Sequence, residues 1–322
     1  MGGAGQVGYG PLERIDGPPP LRPLYGLVQV AEASAAGVRI VVDEQAGPGD
    51  LGVAPGILEP LAGQQRWLNG VEVYPYPPDV PDVYDPCAQG TWSVAKGFGT
   101  TLKHPTFGAM TVHIDETCTA IRVPSQEDYK ARAVASLVAT ESAAVAKELM
   151  GGAKMPLNPH YADGNGAFPN GNAATSILHG IALLEDEIAK SGRAGLIHIT
   201  PGLATIARDR WAISLDGGLL RTVTGTIVVP DCGYQGSAQP GSRPAPSGTK
   251  EWIFATGPID LRRGEIFVTP ETVAEALDRG VGATNSTPNS ITYRAERYYL
   301  ATWDTHVQAA VLVDRCFTTC TS

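Results

Sequence analysis

The chain has 322 residues, of which 38 are glycine and 26 proline, so about a fifth of its positions favour turns or irregular backbone; this excludes a helical bundle or coiled coil. With 43% hydrophobic and 18% charged residues it is too apolar for disorder throughout, and its length allows roughly one to three domains around a folded core. A formal charge of −9 with no basic run counts against sequence-independent grip on nucleic acid, which needs Lys and Arg to displace phosphate counterions.

Apolar stretches such as Ala309 to Val313 are far short of the ~20 residues that span a bilayer, so no transmembrane helix is expected. The first residues, MGGAGQVGYGPLERIDGPPP, carry neither a basic nor an apolar signal region, so a cytosolic product is expected. Cys87, Cys118, Cys232, Cys316 and Cys320 are odd in number and scattered, which argues against a disulfide framework. Buried or idle thiols are the expectation.

Residues 1 to 60 read as an extended arm, because Pro18, Pro19, Pro20, Pro23 and several glycines interrupt every candidate helix. Its one convincing strand is Gly37 to Asp43, GVRIVVD. Strand-like segments from Arg66 to Val73 and Ala109 to Val123 flank a Pro- and Gly-rich stretch, Tyr74 to Phe107, which suggests a long projecting hairpin. The clearest helix follows: Pro124, Ser125 and Asp128 resemble a capping box, and Val134, Val138, Glu141, Val145 and Leu149 fall on one stripe before Gly151 and Gly152.

A second helix is expected from about Thr175 to Lys190, burying Ile177, Leu178, Ile181, Leu184 and Ile188, with Ser191 and Gly192 as its stop. Leu196 to Ile199 reads as a strand, Thr200 and Pro201 open a third helix, and Leu219 to Val229 returns as strands. Gly233 to Lys250 has almost no apolar anchor and reads as a mobile surface loop. Trp252 to Ala255, Ile259 to Leu261 and Glu265 to Val268 are strands, Thr269, Pro270 and Glu271 open a short helix, and Ser290 to Trp303 and His306 to Val313 close the chain as strands.

Few residues form a recognisable site. His104, His113, His160, His179, His198 and His306 never take the spacings that put two ligands on one helix face, and His198, inside an apolar run, reads as a hydrogen-bonded core histidine. GPGDLG and GNGAFPNG lack the strand, helix and Lys-Ser/Thr of a phosphate cradle, and no Gly-x-Ser-x-Gly elbow occurs. Asp82, Asp85, Asp115 and Glu116 could pair as acid and base across the hairpin, although carboxylates there are usually solvated. Glu141, alone on an apolar stripe, needs a partner, and a structural salt bridge to Arg294 or Arg297 is expected. No catalytic, cofactor-binding or metal-ligating residue is assigned, and no enzyme is expected.

The order of arm, long hairpin, long helix, mixed α/β region and closing strands resembles the tailed-phage major capsid protein family, with the fold named after phage HK97. GLIHITPGLA, FATGPIDLRRGEIFV and ATWDTHVQAAVLVD also look like actinobacteriophage virion proteins, and the tail ITYRAERYYLATWDTHVQAAVLVD is similar to the family's last P-domain strands. The resemblance implies an α+β capsid fold. Its parts would be an N-terminal arm (1–60), an E-loop region (61–123), a P-domain (124–172 and 271–322, spine helix 125–150) and a mixed α/β A-domain (173–270).

It further implies a coat protein that self-assembles as hexamers and pentamers into the icosahedral head shell of a virion built in the host cytoplasm. The shell would enclose DNA without sequence-specific binding, have no membrane association, and engage scaffold, portal or decoration proteins. An encapsulin-like compartment shell, a minor head or tail protein and, further off, a metal-dependent or hydrolytic enzyme are the alternatives. Some family members cross-link an E-loop Lys to a neighbour's Asn. Lys96, Lys103, Asn285 and Asn289 match in type, but an exposed Lys is ordinarily solvated, so no cross-link is expected.

Overall fold

A computed structural model describes residues 20–33, 38–43, 68, 70–73, 105–118, 126–234, 239–270 and 291–316. The stretch 74–104, the capping residues Pro124 and Ser125, the body of the helix expected after Pro270, and Lys96, Lys103, Asn285 and Asn289 lie outside the described residues. In chain order the elements are α1 (Leu27–Glu32), β1 (Val38–Asp43), β2 (Val71–Glu72), β3 (Thr106–Phe107), β4 (Met110–Cys118), α2 (Gln126–Gly151), α3 (Ile177–Lys190), β5 (Leu196–Ile199), α4 (Pro201–Asp209), β6 (Ile213–Asp216), β7 (Leu219–Thr222), β8 (Ile227–Pro230), β9 (Lys250–Thr256), β10 (Ile259–Gly264), β11 (Phe267–Thr269), β12 (Ile291–Trp303) and β13 (Gln308–Asp314).

Six strands in the order β13-β9-β5-β8-β7-β6 make one sheet, antiparallel except for β5 beside β8. The short β5 and β8 are buried at every residue, in keeping with sequences that are apolar but for His198 and the strand-ending Pro230. Thr200 caps α4 by accepting from the Leu203 N–H, and Ser176 does the same for α3 through His179 N–H. Ile177, Ile181, Leu184 and Ile188 of α3 and Leu203 and Ala207 of α4 then pack with Ile197, Ile199, Val228, Ile253 and Val311 on one face of the sheet. Gly180 is needed there, because a Cβ would stand 2.5 Å from Val313 Cγ1. Leu196, Trp252, Phe254 and Leu312, alternating with these, face the opposite way, into the core shared with α1 and α2.

The second sheet is organised by β12, whose 13 residues pair with β4 along one edge and with β10 and β11 along the other. Arg263 pairs with Tyr299 but Phe267, four residues on, pairs with Glu296 only three residues back, so a bulge separates β10 from β11. β1 adds to the far edge of β10 in parallel. The first half of α2 crosses β4 and β12, and its second half rests on α1 and on the 3-10 turn Cys232–Tyr234.

Several expectations are corrected. Residues 20–33 are not uniformly extended: Leu27, Val28, Val30 and Ala31 of α1 are buried in the main core, in a helix too short to show periodicity. Among the described residues the stretch 74–104 is bracketed by β2 and β3, which pair antiparallel over two residues, whereas β4, expected as its second flank, pairs along β12. The buried stripe of α2 begins at Tyr129, Ala133 and Leu137 instead of Val134 and Val138, joining the expected line at Glu141.

Leu178, expected inside, is 54% exposed. β6 arises where no strand was anticipated, joined to β7 by the tight turn Gly217–Gly218. The stretch 239–250 is largely exposed but anchored. Arg243 lies 4.1 Å over the Phe168 ring and donates to Asn172, and Trp252 Nε1 donates to Pro244 O at 2.9 Å.

Candidate functional site

The densest arrangement of polar side chains lies where α1 docks on α2. Gly26, before α1, has φ +137° and no side chain with which to cap the helix, so its N–H groups are satisfied from elsewhere. Asp231, which follows β8, accepts from Leu27 N–H at 2.9 Å and from Ser142 Oγ–H at 2.7 Å through Oδ2, and Ser142 Oγ accepts from Val28 N–H at 3.2 Å. Asp231 Oδ1 accepts from Gly233 N–H at 2.8 Å, holding the 3-10 turn. Any Cβ on Gly26 would lie 2.6 Å from Ser142 Oγ and 2.8 Å from Asp231 Oδ2, so this capping arrangement demands glycine.

One helical residue before Ser142, the carboxylate of Glu141 is fully buried. Arg297 of β12 donates to both its oxygens from one nitrogen, Nη1, at 3.0 and 2.8 Å, a charge-assisted contact that fixes α2 on the sheet. Arg22 and Arg263 approach the same carboxylate at 3.9 Å and both bind Glu32, at 2.7 and 2.6 Å. Burial pushes the Glu32 carboxyl up, but the two guanidiniums outweigh it and hold the group below its ordinary value. Burial pushes the Tyr299 hydroxyl up, and the Glu141 charge reinforces that. Three cations and two anions thus join residues 20–33, α2, β10 and β12.

Of the two arginines proposed for Glu141, Arg297 is the partner; Arg294 instead makes an exposed bidentate pair with Asp115 at 2.7 and 3.0 Å. Arg294 draws the Asp115 carboxyl down. Asp115 and Glu116 are consecutive in β4 and so point to opposite faces, and the carboxylates expected to meet them across the hairpin, Asp82 and Asp85, lie outside the described residues.

His198 is the core histidine expected. Its Nδ1 lies 2.9 Å from Tyr234 Oη and its Nε2 2.8 Å from Thr256 Oγ1, and the ring stacks on Tyr161 at 4.5 Å. Thr256 donates to Gly257 O, so it accepts from Nε2–H and leaves Nδ1 to accept from Tyr234. Burial drives the imidazole down to about 3, so it is neutral at physiological pH.

The remaining candidates stay apart. His179 Nδ1 meets Thr175 Oγ1 at 3.0 Å and His306 meets Asp304, while His113 is exposed. Of the thiols expected to be buried or idle, Cys232 and Cys316 are free and exposed, and the partial burial of the Cys232 thiol raises it with help from Asp231. Among the described residues no group of three or more His, Cys, Asp or Glu is placed to hold a metal ion, and no helix is long and apolar enough to cross a membrane. Glu141 and, as one of two alternatives, Arg297 were the members of the charge cluster visible in sequence. Arg22, Glu32, Ser142, Asp231 and Arg263 carry no local signal, since their roles arise from contacts up to 231 residues apart.

No protein-family model matches the chain, and no curated protein matches it. The solved structures that it resembles are phage capsids and related shells. The capsid of the native GTA particle is similar at 12% identity, covering 96% of this chain and 95% of that one, with a TM-score of 0.50. Microbacterium phage Oxtober96 is similar at 12% identity, covering 96% of each chain at a TM-score of 0.44. Mycobacterium phage Che8 is similar at 15% identity, covering 76% of this chain and 84% of that one at 0.39. On the likeness to the GTA capsid chain, the mixed α/β fold is capsid-like.

Proposed function

We propose that this chain is the major capsid protein of a tailed phage, a subunit that self-assembles into the head shell. The observation that carries the reading is the likeness to the GTA capsid chain, which runs through 96% of this chain and 95% of that one. The charge cluster and the Asp231 cap fit this role. They bind distant segments into one unit, as suits a subunit under load from its neighbours.

On this reading residues 1–60 are the N-terminal arm, 61–123 the E-loop region, 124–172 with 271–322 the P-domain around α2 as spine, and 173–270 the A-domain. Hexamers and pentamers are the expected capsomers, scaffold, portal and decoration proteins the expected partners, and the host cytoplasm the place of assembly. The shell is held by non-covalent contacts and encloses DNA without reading its sequence. Electron microscopy of the expressed full chain tests the proposal: closed shells or capsomer-sized rings are expected, and a monodisperse monomer at high concentration in sedimentation overturns it.

A further inference from the structure

The sequence holds three Asn-Gly pairs, Asn69–Gly70, Asn165–Gly166 and Asn170–Gly171. Such a pair can modify itself, because glycine has no Cβ to shield its backbone nitrogen from the asparagine amide carbon beside it. Asn69 lies outside the described residues, but the other two pairs lie close together in the connection between α2 and α3, and the fold treats them differently.

Asn170 is locked. Its Nδ2–H donates to Ala173 O at 2.8 Å, the Gly171 N–H beside it donates to Phe168 O at 2.9 Å, and Gly171 is set in a left-handed turn at φ +58°. Asn165 is exposed, and among the described residues neither its side-chain amide nor the Gly166 N–H has a hydrogen-bond partner. The chain is nevertheless pinned on both sides of this one peptide unit. Asp163 Oδ1 accepts from Asn165 N–H at 2.8 Å and from Gln308 Nε2–H at 2.8 Å. Ala167 N–H donates to Gln308 O at 2.8 Å, and Ala167 O accepts from Ala310 N–H at 2.9 Å. Packing also forbids a shielding side chain at 166, since a Cβ there would stand 2.8 Å from both Gln308 Cγ and Gln308 O.

We propose that Asn165 is a site of spontaneous deamidation whose product loosens the edge of the six-stranded sheet. The Gly166 nitrogen gives its proton to solvent base and bonds to Asn165 Cγ; the Cγ–Nδ2 bond breaks and Nδ2 leaves as ammonia, closing a succinimide ring. Water then opens the ring without any change of oxidation state. Cleavage between Cγ and the Gly166 nitrogen gives aspartate. Cleavage between the residue 165 carbonyl carbon and that nitrogen gives isoaspartate, in which the main chain runs through Cβ and Cγ and is one methylene longer.

That extra length falls beside a structural contact. β13 is the outermost strand of its sheet, and Ala167 and Thr175 cover its free edge by pairing in parallel with Ala309 and Val313. An added methylene two residues before Ala167 shifts it away from Gln308 and Ala310 and uncovers the main-chain groups of an edge strand. Neither step depends on whether the chain builds a shell.

The test ages the full wild-type chain in mildly alkaline buffer and follows each Asn-Gly pair by peptide mass spectrometry, in which conversion adds about 1 Da. Asn165 is expected to convert at least about tenfold faster than Asn170, which must first break two hydrogen bonds. In the urea-unfolded chain the two are expected to convert at similar rates. An Asn165 that stays intact, or equal rates at both positions in the folded chain, overturns the site; the same preference in urea overturns the role of the fold.

Hydrogen exchange reads the consequence. The Ala310 amide is expected to exchange about tenfold faster in the isoaspartate fraction of the aged chain, while Asn165→Gln aged alongside keeps the exchange of fresh protein. Unchanged exchange at Ala310 in the isoaspartate fraction, or equal acceleration in aged Asn165→Gln, overturns the loosening of β13.

Discussion

Removing the charge of Glu141 is expected to cost more stability than removing that of its closest partner. Glu141→Gln leaves Arg22, Arg263 and Arg297 facing one another with only Glu32 to neutralise them, and breaking a buried pair in this way costs about 3–5 kcal/mol. Arg297→Met leaves Glu141 buried but still 3.9 Å from two guanidiniums, a distance at which opposite charges attract by a few kcal/mol at an effective dielectric near 20. That residual attraction makes the arginine change about 1–2 kcal/mol milder. Urea unfolding of dissociated subunits, followed through the fluorescence of the buried Trp252 and Trp303, measures both variants and their double mutant. Equal losses, or a greater loss for Arg297→Met, would show that Glu141 is not the shared anion of the cluster.

Three further outcomes follow from the packing. His198, with a folded value near 3 against about 6.5 when unfolded, gives its full stabilisation above pH 6.5 and loses up to ~1.4 kcal/mol per pH unit below it. His198→Gln should therefore be less stable than wild type at pH 7.5 and close much of that gap by pH 5; a constant gap in unfolding midpoints would be falsifying. Gly26→Ala, strained by φ +137° and crowded by Ser142 and Asp231, should lower stability by about 2 kcal/mol or more, and calorimetry showing no change would mean that α1 is held differently. Deleting residues 1–33 strips Leu27, Val28, Val30 and Ala31 from the core, so the truncated chain should unfold several degrees earlier. An unchanged melting curve would restore the view of that segment as a detachable arm.

Elements whose cause is local were legible in the sequence. α2 and α3 lie within a residue or two of their expected bounds because apolar spacing and stop residues act within a turn, and Thr200 with Pro201 announced α4 by capping chemistry alone. A buried charge on an apolar stripe was enough to foresee that Glu141 needed an arginine from the closing strands. What could not be read was partnership at a distance. α1 has six residues and owes its existence to Asp231 and Ser142, neither of which differs locally from any other polar residue near a turn or in a helix. β4 announced itself as a strand by alternation, but alternation fixes which face is buried and leaves the choice of neighbouring strand open.

The cap on α1 also sets an order of events during synthesis. Leu27 emerges from the ribosome 204 residues ahead of the Asp231 carboxylate that holds its N–H, and β1 must wait for β10, which begins at Ile259. At ~5–20 residues per second the first segment of the chain spends on the order of ten to forty seconds with its apolar side chains unmatched. Closing so long a loop costs conformational entropy that only the late contacts repay, so the earliest residues made are among the last to settle. During that interval the nascent N-terminal region is the part of the molecule most open to chaperones, to proteases and to other copies emerging from the same messenger.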